Sequence, residues 1–300
     1  MAAGTRSTIW ITGCAGFLGK RLAAQLATQG HSLIGLSRRE CSISGRSIAI
    51  DLAADEAPET LDALIEDSGV PEVVVHAASR QPGAGAHADF FKSNVQTTIN
   101  LLKAFKQSQP RLFIYTSTQS VYSRPSSLPV KETSSACGTL PYSATKRWSE
   151  QLLEPLGRRS CVRVLRLPSL YGKGQGDSFI DGLAGLALRN EPIELFSRGE
   201  LIRDALHVND VIGAITSCLQ ARPENSFVVM NLGCGHPIRT DEYARALVSA
   251  LESNSEIIPV DRPASQFDLY ADIEQARKSI GFEPTPLAQS MKMYADELRA

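Results

Sequence analysis

The sequence predicts an α/β fold, a doubly wound parallel sheet followed by a smaller C-terminal substrate-binding lobe. Three observations carry this. Short apolar runs alternate with longer amphipathic segments up to about Tyr171. The short runs are apolar on both faces, as strands buried under two helix layers must be. A glycine-rich turn joins the first strand to the first helix. Strands are expected at Thr8–Thr12, Ser32–Leu36, Ser47–Ile50, Val73–His76, Leu112–Thr116 and Val162–Leu165. Helical periodicity covers Gly19–Gln29, Glu59–Ser68, Ala88–Gln107 and Tyr142–Leu156. Alternation of this kind builds a parallel sheet with crossover helices.

Beyond Tyr171 the rhythm loosens. Gly172–Asp177 reads as a loop, Ser178–Leu188 and Asn209–Gln220 as helices, and Phe227–Asn231 as a strand. Thr240–Leu251 follows as a helix whose start suits a Thr240 cap. The expected division is 1–171 for the sheet domain and 172–300 for the lobe, with some elements crossing over. Ser123–Leu140 is a polar loop of unusual length for a compact domain. Such loops are usually functional, and this one is expected to border a substrate cleft.

The chain has 300 residues, 43% hydrophobic and 21% charged, with a formal net charge of −1. That balance offers no basic surface for nucleic acid or an anionic membrane, so a small-molecule partner is expected. No apolar run approaches the ~20 residues of a membrane span. The lead from Met1 to Thr8 lacks the apolar stretch of a signal peptide, which leaves the cytoplasm as the expected location. The six cysteines form no C-x-x-C pair and no zinc-type spacing. No metal site is expected, and the cysteines are read as reduced, mostly buried thiols.

Ile9-Trp10-Ile11-Thr12 runs directly into Gly13-Cys14-Ala15-Gly16-Phe17-Leu18-Gly19. In this G-x-x-G-x-x-G, Gly13 permits the tight turn, Gly16 admits a pyrophosphate, and Gly19 lets the helix approach the strand. The helix N–H groups and dipole then face the phosphates. The second strand leads into Ser37-Arg38-Arg39, with no acid at Ser37 or Arg38 to hold a ribose 2′-hydroxyl. A guanidinium there favours a 2′-phosphate, so NADP(H) is the favoured cofactor and NAD(H) the alternative.

Tyr142 and Lys146 stand at i, i+4 at the start of a predicted helix, which puts them on one face. A phenol is a poor base at neutral pH, and a neighbouring ammonium, together with a positive nicotinamide ring, favours its ionised form. Upstream, Thr116, Ser117, Thr118 and Ser120 crowd the end of a strand with hydroxyls that can hold a reacting oxygen.

Taken together and in this order, these motifs make the chain resemble the extended short-chain dehydrogenase/reductase family, in particular its nucleotide-sugar epimerase, dehydratase and ketoreductase branch. The resemblance covers nearly the whole chain. It implies a Rossmann-type fold in which Gly13, Gly16, Phe17, Leu18 and Gly19 bind the dinucleotide, and Asp51 and Leu52 meet its adenine. His76, Ala77 and Ala78 form the turn beneath the cofactor, and Asn94 matches the helix asparagine of the family. Pro168 and Leu170, in Arg166-Leu167-Pro168-Ser169-Leu170-Tyr171-Gly172, match the loop at the nicotinamide carboxamide. Thr118 falls at the Ser/Thr position four residues before Tyr122, with Ser117 as the neighbouring alternative. Tyr142 is then the acid/base, and Lys146 lowers its pKa and binds the nicotinamide ribose. Ser117, Thr118, Ser169, Arg203 and Arg262 are the implied substrate contacts, the two arginines on a diphosphate. Arg203 opens the segment Arg203-Asp204-Ala205-Leu206-His207-Val208-Asn209-Asp210. The ordinary alternative for Arg203 is an ion pair with Asp204, and for Arg262 one with Asp261 or Asp268. His207 is read as a histidine that orders its loop.

Two departures from the family pattern bear on the substrate and the reaction. Ser169 replaces the asparagine of some sugar-nucleotide epimerases, and the second strand lacks the acid of NAD-binding members. Gln119 and Ser120 stand where 4,6-dehydratases carry an acidic pair, so dehydration is not expected. The expected activity is 4-keto reduction or epimerisation of a nucleotide-linked sugar by a homodimer built on the Ala88–Gln107 and Tyr142–Leu156 helices. The alternatives are reduction of a non-nucleotide carbonyl compound and, in a different class, non-catalytic dinucleotide sensing.

Overall fold

A computed structural model describes residues 6–81, 87–221 and 226–300, so most of the polar N-terminal lead lies outside the described residues. The first elements in the chain are β1 (Thr8–Thr12), α1 (Phe17–Thr28), β2 (Ser32–Ser37), β3 (Arg46–Ala49), α2 (Ala57–Ser68) and β4 (Val73–His76). Next come α3 (His87–Phe90), a π-helical stretch (Phe91–Gln96), α4 (Thr97–Ala104), β5 (Leu112–Thr118), α5 (Pro141–Leu153) and β6 (Cys161–Leu167). Then follow β7 (Ser169–Tyr171), α6 (Phe179–Leu188), β8 (Ile193–Leu195), β9 (Ala205–His207), α7 (Val208–Gln220) and β10 (Ser226–Asn231). The chain ends with α8 (Thr240–Leu251), β11 (Ile257–Pro259), α9 (Glu274–Ile280) and α10 (Leu287–Arg299).

Contacts divide the chain into two compact units. One holds residues 1–123, 135–166 and 214–230, and the other holds 124–134, 167–213 and 231–300. A single cut after Tyr171 therefore does not follow the observed division, because the chain passes between the units several times. The Ser123–Leu140 loop is one such passage.

The first unit is built on a seven-stranded sheet in the order β10-β6-β5-β4-β1-β2-β3. The pairings β2–β3, β1–β2, β1–β4 and β4–β5 are parallel. The order reverses between β1 and β4, and in open α/β sheets ligands bind outside the carboxyl ends of the strands at such a switch point. All four residues of β4 are buried, as a central β-branched run between helix layers should be. Helix α1 buries Gly19, Leu22, Ala23 and Leu26, a three-and-four spacing that presents one face to the sheet. Helix α2 opens with Pro58 in its first turn and stops at Gly69, whose φ of 79° few other residues tolerate. Trp10, Val74, Phe113 and Val162 from the strands meet Leu61, Leu101, Phe105 and Leu153 in one core. Trp10 of β1 is fully buried against Phe105.

In the second unit two short parallel pairs, β7–β9 and β8–β11, accompany α6, α8, α9 and α10. Ile180, Ala184, Ile193, Tyr243, Leu247, Met291 and Tyr294 form its core. Ser178, read as the first helical residue, instead caps α6, taking the Asp181 N–H at 3.1 Å while the Asp181 carboxylate takes the Ser178 N–H at 3.0 Å. Thr240 does not cap α8. It is the first helical residue, its hydroxyl donates to the Gly199 carbonyl at 3.0 Å, and extended Arg239 holds the cap position. No helix among the described residues is long and apolar enough to cross a membrane.

Candidate active site

The glycine loop fits a dinucleotide on steric grounds. Gly13 has φ +72°, and a Cβ there would lie 2.8 Å from Ala78 N. A Cβ on Gly19 would lie 2.9 Å from Cys14 Cα, so α1 can begin this close to β1 only with glycine. Gly16 holds the N-cap position of α1, no side chain caps it, and its Cβ position is crowded by Gly13 O at 3.2 Å. The helix N-terminus is thereby open for phosphate oxygens. Phe17 and Leu18 are partly exposed there. The Gly13 N–H donates to Leu36 O at 2.8 Å, which ties the loop to the end of β2.

At that end the Ser37 hydroxyl donates to Arg39 O at 2.6 Å and closes a turn, leaving Arg38 and Arg39 exposed. Among the described residues neither arginine is paired with a carboxylate. A disulfide joins Cys14 in the glycine loop to Cys41 beyond the turn. This corrects the expectation of six reduced thiols. The Cα atoms stand 6.7 Å apart, within bridging range, and Gly35 makes room, since a Cβ there would lie 2.7 Å from Cys14 Sγ. A search for short cysteine spacings misses a pair brought together by the return of a strand. Past β3, Asp51 is exposed and accepts the Ala53 N–H at 3.0 Å. The Leu52 side chain lies in the hydrophobic core, which leaves its backbone for adenine.

His76 departs from its expected role as a cofactor contact. It is fully buried, with Nδ1 2.7 Å from Thr12 Oγ1 and Nε2 3.1 Å from Thr98 Oγ1. Thr12 Oγ1 accepts the Ala78 N–H at 3.0 Å, and because the Thr98 hydroxyl proton is committed to Asn94 O, Thr12 is the partner that donates to the ring at Nδ1. Nε2 therefore carries the ring proton and donates to Thr98, whose hydroxyl donates to Asn94 O at 3.0 Å. Burial, reinforced by repulsion from Lys146, lowers the His76 pKa to about 3 and keeps the ring neutral. His76 thus braces the turn at Ala77 and Ala78, both partly exposed, from below.

Asn94 sits in the π-helical stretch, where a widened turn frees its carbonyl. Hydroxyls of Thr97, Thr98 and Ser149 donate to that carbonyl at 3.0–3.1 Å. Its side-chain nitrogen donates to Thr145 at 3.1 Å, and its side-chain oxygen accepts the Arg80 N–H at 2.8 Å. Asn94 is engaged at both ends, so its observed work is to hold α5 and the post-β4 turn, not to touch a cofactor.

Strand β5 runs two residues further than expected and delivers Thr118 at its tip. The Tyr142 hydroxyl lies near the side chains of Gln81, Ser79 and Thr118, which offset part of the effect of its burial. Sequence reasoning missed Ser79 and Gln81, which follow the post-β4 turn and carry no motif. Burial raises the Tyr142 pKa above its usual value. Lys146, one turn along α5, is 1% exposed, and its ammonium lies 4.3 Å from the centroid of the Tyr115 ring. Burial lowers its pKa to about 7 against the opposing pull of Glu150. Ser117 is corrected as a substrate contact. It is buried, and its hydroxyl donates to Glu150 Oε1 at 2.5 Å.

In the second unit Pro168 precedes β7, and Ser169 and Leu170 lie within it, paired in register with Ala205 and Leu206. The Arg203–Asp204 ion pair does not form. Asp204 instead accepts the N–H groups of Cys234 at 2.8 Å and Ala271 at 3.1 Å, while Arg203 lies over the Phe179 ring at 5.3 Å. Burial lowers the Arg203 pKa, as expected of a sequestered cation. Asp268 accepts the Ile202 N–H at 2.9 Å, and Arg262 lies over the Phe196 ring at 5.3 Å. Both arginines are stacked on aromatic rings, which leaves the guanidinium edges for an anion. His207 is buried between Tyr171 and Tyr294, and its Nδ1 accepts the Asn209 N–H at 3.3 Å, the loop-ordering role expected of it. Among the described residues no group of three His, Cys, Asp or Glu side chains could hold a metal ion.

This arrangement matches known proteins. UDP-glucose 4-epimerase from Azospirillum brasilense is 26% identical over 92% of this chain and 87% of that protein. The structure of MoeE5 in complex with UDP-glucuronic acid and NAD is 26% identical, with a TM-score of 0.83 over 97% of this chain and 99% of that one. UDP-glucose 4-epimerase from Stenotrophomonas maltophila, with bound NAD and formylated UDP-arabinopyranose, shares the fold at 21% identity and a TM-score of 0.84, covering 98% of this chain and 99% of that one. The model of the NAD dependent epimerase/dehydratase family matches residues 9–233. With its glycine loop and its Thr118, Tyr142 and Lys146 group inside that match, the chain belongs to the NAD-dependent epimerase/dehydratase family.

Proposed function

We propose that the protein is an NAD(H)-dependent 4-epimerase of a UDP-linked sugar. The observation that carries this is the Tyr142 hydroxyl close to the Thr118 side chain, with Lys146 one helical turn away. The relatives that act on UDP-sugars and the neighbour holding NAD support it. The chemistry drawn from bound NAD is reversible hydride acceptance. Tyr142 takes the proton of the sugar 4-hydroxyl, and Thr118 holds the same oxygen by a hydrogen bond. The keto sugar turns over within the site, and Tyr142 then returns the proton as the opposite configuration forms. Burial alone works against a Tyr142 phenolate, so its formation depends on nearby positive charge, which Lys146 supplies. Arg203 and Arg262 hold the diphosphate by charge-assisted contacts. The protein works in the cytoplasm as a homodimer, with Phe91, Trp148 and Leu152, all exposed, covered by the second copy.

One observation favours a second reading. Arg38 and Arg39, exposed and meeting no carboxylate among the described residues, suit a 2′-phosphate and hence an NADPH-dependent keto-sugar reductase. The dinucleotide released on denaturation separates the two, since an epimerase retains NAD(H) whereas a reductase exchanges NADP(H). Interconversion of UDP-glucose or UDP-glucuronate by the wild type, reduced at least about 100-fold in Tyr142→Phe, is the expected result. Full cofactor binding with no turnover of any UDP-sugar or keto-sugar would leave the dinucleotide-sensing alternative.

A further inference from the structure

We propose that Glu150 is a positioning residue for the reaction: held by Arg166 and Ser117, its carboxylate keeps Lys146 in place as an ammonium over the Tyr115 ring, beside Tyr142. The proposal rests on the epimerase reading for its purpose but not for its test.

Tyr142, Lys146 and Glu150 follow one another at i, i+4 and i+8 along α5, so they share one helix face. Lys146 and Glu150 are both buried, at 1% and 0% exposure. Four donors fix the Glu150 carboxylate. Arg166 approaches with two nitrogens, Nε to Oε1 at 3.0 Å and Nη2 to Oε2 at 2.7 Å. Ser117 donates to Oε1 at 2.5 Å and Arg147 Nη1 to Oε2 at 3.0 Å. Arg166 is in turn held by the Tyr122 hydroxyl at 2.8 Å. The carboxylate thus cannot swing away, and its nearest strand residue, Ser117, adjoins Thr118.

A buried ion pair of this kind seldom raises stability over a well-packed apolar replacement, so its presence calls for another reason. Its placement provides one. Lys146 meets the Tyr115 ring of β5, His76 of β4 and, one turn along its own helix, Glu150, whose own partners Ser117 and Arg166 come from β5 and β6. Of these, Glu150 alone brings negative charge. His76 is held neutral, and the face of the Tyr115 ring adds a weaker attraction. Burial drives Lys146 toward losing its proton, and Glu150 opposes that. Without the carboxylate Lys146 would be neutral near neutral pH, and Tyr142 would lose the charge that favours its ionisation.

The test follows the charge of Lys146 directly. In protein labelled at lysine, the Lys146 side-chain resonance is assigned with Lys146→Met and titrated by NMR. The expected midpoint is near 7 in the wild type. It should fall by about 1–3 pH units in Glu150→Gln and return most of the way in Glu150→Asp. Glu150→Gln leaves Arg166 buried and unpaired, so the double variant Glu150→Gln/Arg166→Gln is measured beside it. A midpoint unmoved in Glu150→Gln, with stability alone reduced, overturns the proposal; the double variant, which also removes the Arg166 charge, is expected to shift less than the single one. If instead the midpoint moves while Tyr142→Phe keeps full epimerase activity, the electrostatic coupling stands and the functional reading fails.

Discussion

Lowering the pH from about 7 to about 5 is expected to cost the fold about 2 kcal/mol through His76 alone. The imidazole sits fully buried between Thr12 and Thr98, and its pKa is about 3, against 6.5 when exposed. Between those values the unfolded chain binds a proton at this residue and the folded chain does not. Stability therefore falls as pH falls below about 6.5, by up to 1.4 kcal/mol per unit, and levels off below about 3. Over the interval down to about pH 5 the loss is roughly 1.4 units, or about 2 kcal/mol, and by about pH 3 it reaches about 4 kcal/mol. Urea unfolding followed by circular dichroism measures this in the wild type and in His76→Gln, which cannot titrate. The other acidic and basic groups are common to both proteins and cancel in the difference. The variant is expected to be less stable at neutral pH, because one hydroxyl loses its partner, but to lose about 2 kcal/mol less on acidification. Equal losses in the two proteins would refute the buried neutral histidine.

Lys146→Met removes a buried ammonium and is expected to raise stability at neutral pH by about 1–2 kcal/mol while abolishing epimerase turnover, a trade-off visible by pairing thermal unfolding with a UDP-sugar assay. Reduction of the Cys14–Cys41 bridge, which closes a loop of sequence separation 27, is expected to lower stability by about 3 kcal/mol, read as the difference between oxidised wild type and Cys41→Ser in denaturant. Gly19→Ala forces a Cβ to 2.9 Å from Cys14 Cα, so it should destabilise the protein by roughly 1–3 kcal/mol and release any retained dinucleotide on gel filtration. Arg203→Leu should keep dinucleotide binding but weaken UDP binding by at least about 10-fold in calorimetry, whereas equal affinity for UDP would remove Arg203 from the diphosphate site.

The strands of the sheet were readable because each is a short run rich in Val and Ile bounded by turn residues. β1 and β4 have the very limits that periodicity predicts. Unbroken periodicity also predicted one helix from Ala88 to Gln107, but the structure inserts a π-helical stretch at Phe91–Gln96 and ends α4 at Ala104. A side-chain pattern does not report a carbonyl freed for three hydroxyls. The three-residue strands β7, β8, β9 and β11 are too short to show alternation, and they form only because Ile193, Ala205 and their neighbours close a local core. At the site, the motifs located Thr118, Tyr142 and Lys146 but could not say which way each neighbour points. Ser117 and Thr118 are chemically alike in the sequence, and the pleat alone turns one to Glu150 and the other to Tyr142. Position in the chain aligned His76 with the turn beneath the cofactor and Asn94 with the family's helix asparagine, and hydrogen bonding gives both side chains bracing work.

The interleaved division of the chain limits how the protein can be cut. A fragment ending at residue 171 would contain the glycine loop, Thr118, Tyr142 and Lys146, the whole apparatus that motifs identify. It would lack β10, which forms the outer edge of the sheet beside β6. Strand β6, almost wholly buried in the intact protein, would then present an unpaired edge to solvent. Such an edge recruits other chains, so the fragment is expected to aggregate rather than to behave as a minimal dinucleotide-binding domain. The unit of inheritance for this site is nearly the full chain, and recombination or circular permutation can succeed only at breakpoints that keep residues 214–230 with the sheet.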